Sequence, residues 1–130
     1  MELSLHEPEL AICRLSGSTA RPTWARGSFV SVTRTPTELS IVCPAVALPT
    51  KRSPNMRVSV GWKRLSIDGE LDLALVGVLA ELLAPLARAQ VSVFPIATFD
   101  TDHVLVQDAD AAVAALEAAG HTVRQRPQPG

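Results

Sequence analysis

Three side chains of this sequence have the chemistry of a serine-type triad: Ser31, His103 and Asp102. Their placement argues against that use. His103 follows Asp102 directly, and neighbouring residues of an extended strand point to opposite faces. Other catalytic signatures are missing from the chain: no G-x-S-x-G, no P-loop, no G-x-G-x-x-G and no H-E-x-x-H. Cys13, Cys43 and His103 lack the close pair spacing of a sequence-local zinc site. The sequence therefore predicts no enzyme, no metal centre and no cofactor. Both cysteines sit in apolar, strand-like surroundings and read as buried free thiols of a reducing compartment. What remains is an acidic turn, Asp100-Thr101-Asp102, whose side chains either cap their own backbone or face a cation.

The elements that must hold that turn are partly repeated. Phe29 to Cys43 and Val93 to Gln107 read as two versions of one unit, 64 positions apart. Each has a strand, a polar turn with Thr and an acid (Thr37-Glu38; Thr101-Asp102), and a second strand ending in an apolar pair (Ile41-Val42; Leu105-Val106). Ala11 to Leu15 alternates and predicts a further strand. Pro44 to Arg57, with three prolines, predicts an irregular connection. Trp62 to Asp68 predicts a strand with Leu65 and Ile67 on one face. Leu73, Val76, Leu79, Leu83 and Leu86 recur at helical spacing, with Pro85 expected to kink that helix near Glu81. Val91 to Phe99 predicts a strand whose Pro95 suits an edge or a bulge. Asp108 is an N-cap for a helix with the stripe Ala109, Ala112, Val113, Leu116 and Ala119, ended by Gly120. Thr122 to Gln125 closes the series, and residues 125–130 are expected to be a disordered tail. Residues 62–125 thus read β-α-β-β-α-β, the split β-α-β arrangement with both helices on one face of a four-stranded antiparallel sheet. Residues 1–60 form one unit and 61–130 the other, the first with short or lost helices.

Bulk properties bound the function. Hydrophobic residues make up 47%, enough for a real interior in 130 residues. A net charge of −1 gives no overall attraction to nucleic acid or to an anionic membrane. With 4% aromatics and no Tyr, stacking platforms for single strands are absent. The longest apolar run, Leu71 to Ala80, contains Asp72 and is too short to span a bilayer. The first residues carry two acids and no basic stretch, unlike a secretory leader, so the chain is expected in the cytoplasm.

The segments CRL (13–15), SFVSVTRTPTELSIVCP (28–44), GWKRLSIDGELDLALVGVLAELLAPLA (61–87) and FPIATFDTDHVLV (94–106) resemble a bacterial group of small tandem ACT-domain proteins. That group is similar to the ACT pairs of CASTOR-type arginine sensors. The resemblance covers roughly residues 10–124. It implies an α+β chain of two ferredoxin-like, ACT-like units in tandem. It also implies a non-catalytic regulatory module that binds an amino acid or similar metabolite at the interface between ACT units. A homodimer and an unidentified protein partner are implied too, with a ligand-free dimerisation module as the alternative. By the same resemblance the site residues are Ser31 and Val32, then Gly77 flanked by Val76 and Val78, then Thr98 and Phe99, and finally the acid Asp102. Where the sensors carry a glutamate two residues before the glycine, this chain has Leu75, which suits an apolar or small polar ligand side chain better than a guanidinium. A ligand carboxylate would meet the unpaired N–H groups of a helix start, which Gly77 leaves open to close approach. A ligand ammonium would meet Asp102 and strand carbonyls.

Overall fold

The computed structural model describes residues 1–69 and 77–127. It contains strands β1 (Glu2–Ser16), β2 (Ser31–Arg34), β3 (Glu38–Pro44), β4 (Arg57–Ile67), β5 (Val93–Ala97), β6 (Asp102–Val106) and β7 (Thr122–Arg126). Two helices are described, α1 (Val78–Arg88) and α2 (Ala109–Ala118), together with a single 3-10 turn over Ala45–Ala47. The chain divides into two compact units: Pro8–Trp62, and Met1–Glu7 with Lys63–Gly130. The boundary falls within β1 and within β4. The class is α+β, with two units in tandem, and the described part of the first unit has no α-helix.

In the larger unit the strand order is β7-β1-β4-β6-β5. Alternation decides which face is buried. Leu3 and Leu5 of β1, Leu65 and Ile67 of β4, and Val104 and Val106 of β6 form a single core with Leu82 and Leu86 of α1 and Ala112 and Leu116 of α2. Both helices therefore cover the same face of the sheet. The sheet differs from the four strands expected. The N-terminal strand enters it, and β7 pairs in parallel with β1 from Glu2↔Thr122 to His6↔Arg126. Gln125 and Arg126, expected in the tail, are strand residues, while 128–130 lie outside the described residues. Pro95 lies in β5, at the edge of the sheet, where a missing donor costs no ladder bond.

The helices follow local rules closely. Asp108 Oδ1 accepts from Ala111 N at 3.0 Å and caps α2. Gly120, at φ 95°, ends it: Gly120 N donates to Glu117 O and His121 N to Leu116 O, both at 3.0 Å. The same closure ends α1, with Gln90 N to Ala87 O and Val91 N to Leu86 O at 3.0 Å. There the left-handed position is held by Gln90, at φ 59°, not by glycine. Pro85 does not end α1; its ring is buried among the core side chains, which offsets the one backbone bond it removes. The buried stripe centres on Leu82, Pro85 and Leu86, with Leu79 and Leu83 at its margin. Leu73 and the first turn expected around it lie outside the described residues.

The smaller unit has the order β2-β3-β1-β4 and its own core: Ala11, Cys13, Leu15, Ala25, Leu39, Ile41 and Cys43. Its hairpin and that of the larger unit are equivalent, but at 63 positions and not 64. Thr35 N donates to Glu38 O at 2.9 Å in one turn, and Thr98 N to Thr101 O at 2.9 Å in the other. Thr35 and Thr98 also accept turn amides through their hydroxyls. At that offset Ile41 and Cys43 correspond to Val104 and Val106, the core positions of each unit. A slip of one residue would turn both strands inside out.

Candidate functional site

The residues expected at a ligand site fall into three local groups. Thr98 and Phe99 lie in the β5–β6 turn, and Asp102 opens β6 opposite Ala97. The turn is fixed by its own polar groups: Thr98 Oγ1 donates to Thr101 O at 2.9 Å, and Thr101 Oγ1 donates to Ile67 O at 3.0 Å. The second bond ties the hairpin to the end of β4. Phe99 is 78% exposed and Asp102 is half-buried. Packing in the unit therefore does not account for the phenyl ring.

Gly77 and Val78 form the second group. Gly77 is the N-cap of α1, at φ 77° in the left-handed region, and among the described residues no side chain caps the helix there. Among the described residues, a Cβ built on Gly77 meets nothing within 4 Å. Conformation, not crowding, thus selects glycine at this position. Val76 and Leu75 lie outside the described residues. Ser31 and Val32 are the third group, on β2 in the Pro8–Trp62 unit, half-buried, and paired with Val42 and Ile41. Val32 turns towards the core of that unit, and Ser31 takes the opposite face.

Residues 57–118 match the ACT-domain family, and residues 9–51 match a second family, an N-terminal domain. Protein Atu0741 from Agobacterium tumefaciens is similar to this chain at 35% identity, over 96% of this chain and 92% of that one, with a TM-score of 0.86. This chain is an ACT-domain protein of the Atu0741 family. A Vibrio cholerae protein of unknown function, described as a possible transport protein, is 22% identical with a TM-score of 0.69, over 94% of this chain and 88% of that one. The regulatory subunit of aspartate kinase from Thermus thermophilus shares the fold at 14% identity, with a TM-score of 0.57, over 88% and 95% of the two chains. No curated protein matches the sequence.

The ACT sheet of the larger unit also carries a polar face that sequence reasoning missed. Opposite the helices, Ser4 Oγ donates to Asp68 Oδ1 at 2.6 Å, and Arg126 Nε donates to Ser4 Oγ at 3.0 Å. His6 Nε2 and Ser66 Oγ are 2.8 Å apart. Arg64 Nη1 donates to His103 Nδ1 at 3.2 Å. An arginine can only donate, so Nδ1 of His103 is bare and the ring proton sits on Nε2, 3.5 Å from Thr98 Oγ1. Burial, then the Arg64 charge, holds the His103 pKa below the ordinary imidazole value, against the pull of Asp102. Burial also lowers His6, to about 4, helped by Arg64, His103 and Arg126 and opposed by Asp68. Both rings are neutral at pH 7. The available signal was alternation: Ser4 and His6 alternate with Leu3 and Leu5, and Arg64 and Ser66 with Leu65 and Ile67.

Among the described residues no cluster of His, Cys, Asp or Glu is arranged to hold a metal, and no helix is long and apolar enough to cross a membrane. Trp62 is buried, with Nε1 donating to Ser59 Oγ at 2.9 Å, and Trp24 packs on the core of the smaller unit.

Proposed function

We propose that this ACT-domain protein is a non-catalytic regulatory module that reversibly binds a free amino acid or similar small metabolite at an interface between ACT units. The observation that carries the reading is the start of α1 in a chain of this family: a left-handed glycine with, among the described residues, nothing within 4 Å of a Cβ placed there and no side-chain cap. Unpaired N–H groups and the positive end of the helix dipole suit a ligand carboxylate. Asp102 suits the ammonium, and the exposed Phe99 suits an apolar ligand side chain. Ser31 and Val32 are the contribution expected from a second ACT unit, of this chain or of a second copy. That the fold also serves as the regulatory subunit of aspartate kinase in Thermus thermophilus is in keeping with such a role.

The test is thermal shift against the twenty amino acids, followed by titration of any hit. A ligand at one hundred times its dissociation constant stabilises by about 2.7 kcal/mol. Asp102→Ala, which removes a charge-assisted contact, is expected to weaken that hit by about one to two decades with little change in the unliganded melting temperature. Equal affinity in both proteins removes Asp102 from the site, and no shift with any amino acid favours the ligand-free dimerisation module instead. The alternative, a ligand-free dimerisation module, draws on β2 lying at the end of the strand order, where its backbone edge can pair with another copy.

A further inference from the structure

The Pro8–Trp62 unit carries seven basic side chains against two acidic ones, a net charge of +5 inside a chain of net charge −1. Within that unit lies a cavity of about 380 Å³ lined by Arg14, Ser16, Pro54, Asn55 and Arg57. Two guanidiniums therefore border one small polar space, and neither acid of the unit lines it. Glu9 accepts from Gly61 N, and Glu38 opens β3. Arg14 is half-buried and held in place by a bond from Nη2 to Thr37 O at 3.0 Å. Arg57 is exposed at the start of β4. Like charges sharing a site repel each other, and an anion between them reverses the sign of that interaction. The volume is at the small end of metabolite pockets. Planar guanidinium forks match the oxygens of carboxylate and phosphate groups. Ser16 and Asn55 add a hydroxyl and an amide able to donate to the same oxygens.

We propose that this cavity is a binding site for a small doubly charged oxyanion, a phosphomonoester or a dicarboxylate. Arg14 and Arg57 hold its charge, while Ser16 and Asn55 donate hydrogen bonds to it. The surrounding excess of positive charge raises the local anion concentration and the capture rate. The site shares no residue with the proposed amino-acid site, so either reading survives failure of the other.

The test is calorimetric titration of the full chain with inorganic phosphate, glycerol 3-phosphate and succinate at about 0.15 M salt, where loose surface attraction is largely screened. At least one probe is expected to bind with a dissociation constant of about 1 mM or tighter. The tightest of the three assigns the ligand class. Arg57→Gln is expected to weaken it at least about tenfold, and Asn55→Asp, which sets a carboxylate at the cavity, by at least as much. Both positions are exposed, so neither substitution disturbs the core. Arg26→Gln removes the same charge from the same unit outside the cavity and is expected to change the affinity less than about twofold. Asp102→Ala should leave it unchanged. The proposal is overturned if none of the three probes binds with a dissociation constant of about 1 mM or tighter, if Arg57→Gln binds like the wild type, or if Arg26→Gln weakens binding as much as Arg57→Gln does.

Discussion

Acid should destabilise this protein through His6, and the size of the effect can be worked from its surroundings. Burial and the charges of Arg64, His103 and Arg126 hold the folded-state pKa at about 4, against an ordinary 6.5. The folded value is the lower one, so the unfolded chain takes the proton first. Stability is then lost as pH falls below about 6.5, and the loss is complete below about 4. Above pH 6.5 the ring is neutral in both states and contributes no pH dependence. For a fully enclosed ring the difference corresponds to about 3 kcal/mol. His6 is only half-buried, and water screens its neighbours, which reduces the expected effect to about 1–2 kcal/mol. His103 is lowered too and works in the same direction. The assay is urea unfolding of the wild type and His6→Gln at neutral pH and near pH 4. Glutamine retains a group able to bond Ser66 but does not titrate. The gap between the two proteins should move by about 1–2 kcal/mol in favour of the variant as pH falls, roughly 0.5–1 M in urea midpoint. Parallel pH profiles, or an imidazole that titrates near its ordinary value by NMR, would refute the account of this face.

Two further predictions concern single positions. Gln90 holds the left-handed closure of α1 that glycine holds in α2. Gln90→Gly should therefore stabilise by about 0.5–1 kcal/mol, after the loss of unfolded-chain entropy is counted, and raise the melting temperature by about 2–4 °C; an unchanged or lower melting temperature contradicts it. Cys13 and Cys43 are 1% and 0% exposed, and the hydrogen bond between them, reinforced by burial, pushes the Cys13 thiol up and holds it protonated. A thiol reagent should label them only as fast as the smaller unit opens, with rates that climb with urea; rapid labelling of the folded protein would place a thiol at the surface.

The sequence showed the local elements well and the long-range ones poorly. Asp108, Gly120 and the stripe with Ala112 and Leu116 act through neighbours a few residues away, and α2 forms as read. The edge position of Pro95 was legible for the same reason. The N-terminal strand was not, because Ser4, His6 and Pro8 dilute its apolar signal, and its partner β7 lies at the far end of the chain. The repeat was visible but one residue out of register. Leu105 and Val106 read as an apolar pair, whereas the alternation that matters is Val104 with Val106 against the helices. The expected ligand residues are adjacent in the sequence, as Ser31-Val32 and Thr98-Phe99, and so could be named from it as candidates. The polar face and the Arg14–Arg57 cavity could not, since each depends on which strands become neighbours.

The polar face and the proposed amino-acid site are physically connected. Arg64 donates to His103, His103 reaches Thr98, Thr98 closes the turn on Thr101, and Thr101 holds the end of β4. The hairpin that carries Thr98, Phe99 and Asp102 is thus braced through a histidine whose proton arrangement is fixed by an arginine. A proton added at Nδ1 of His103 would set two donors against each other and release the brace. Burial and Arg64 place that event below the ordinary imidazole range, so near neutral pH the hairpin keeps one geometry. Under the function proposed above, a module built this way would respond to its ligand and not to small drifts in pH. The same lowered values that leave the fold sensitive to acid keep the turn from Thr98 to Asp102 braced near neutral pH.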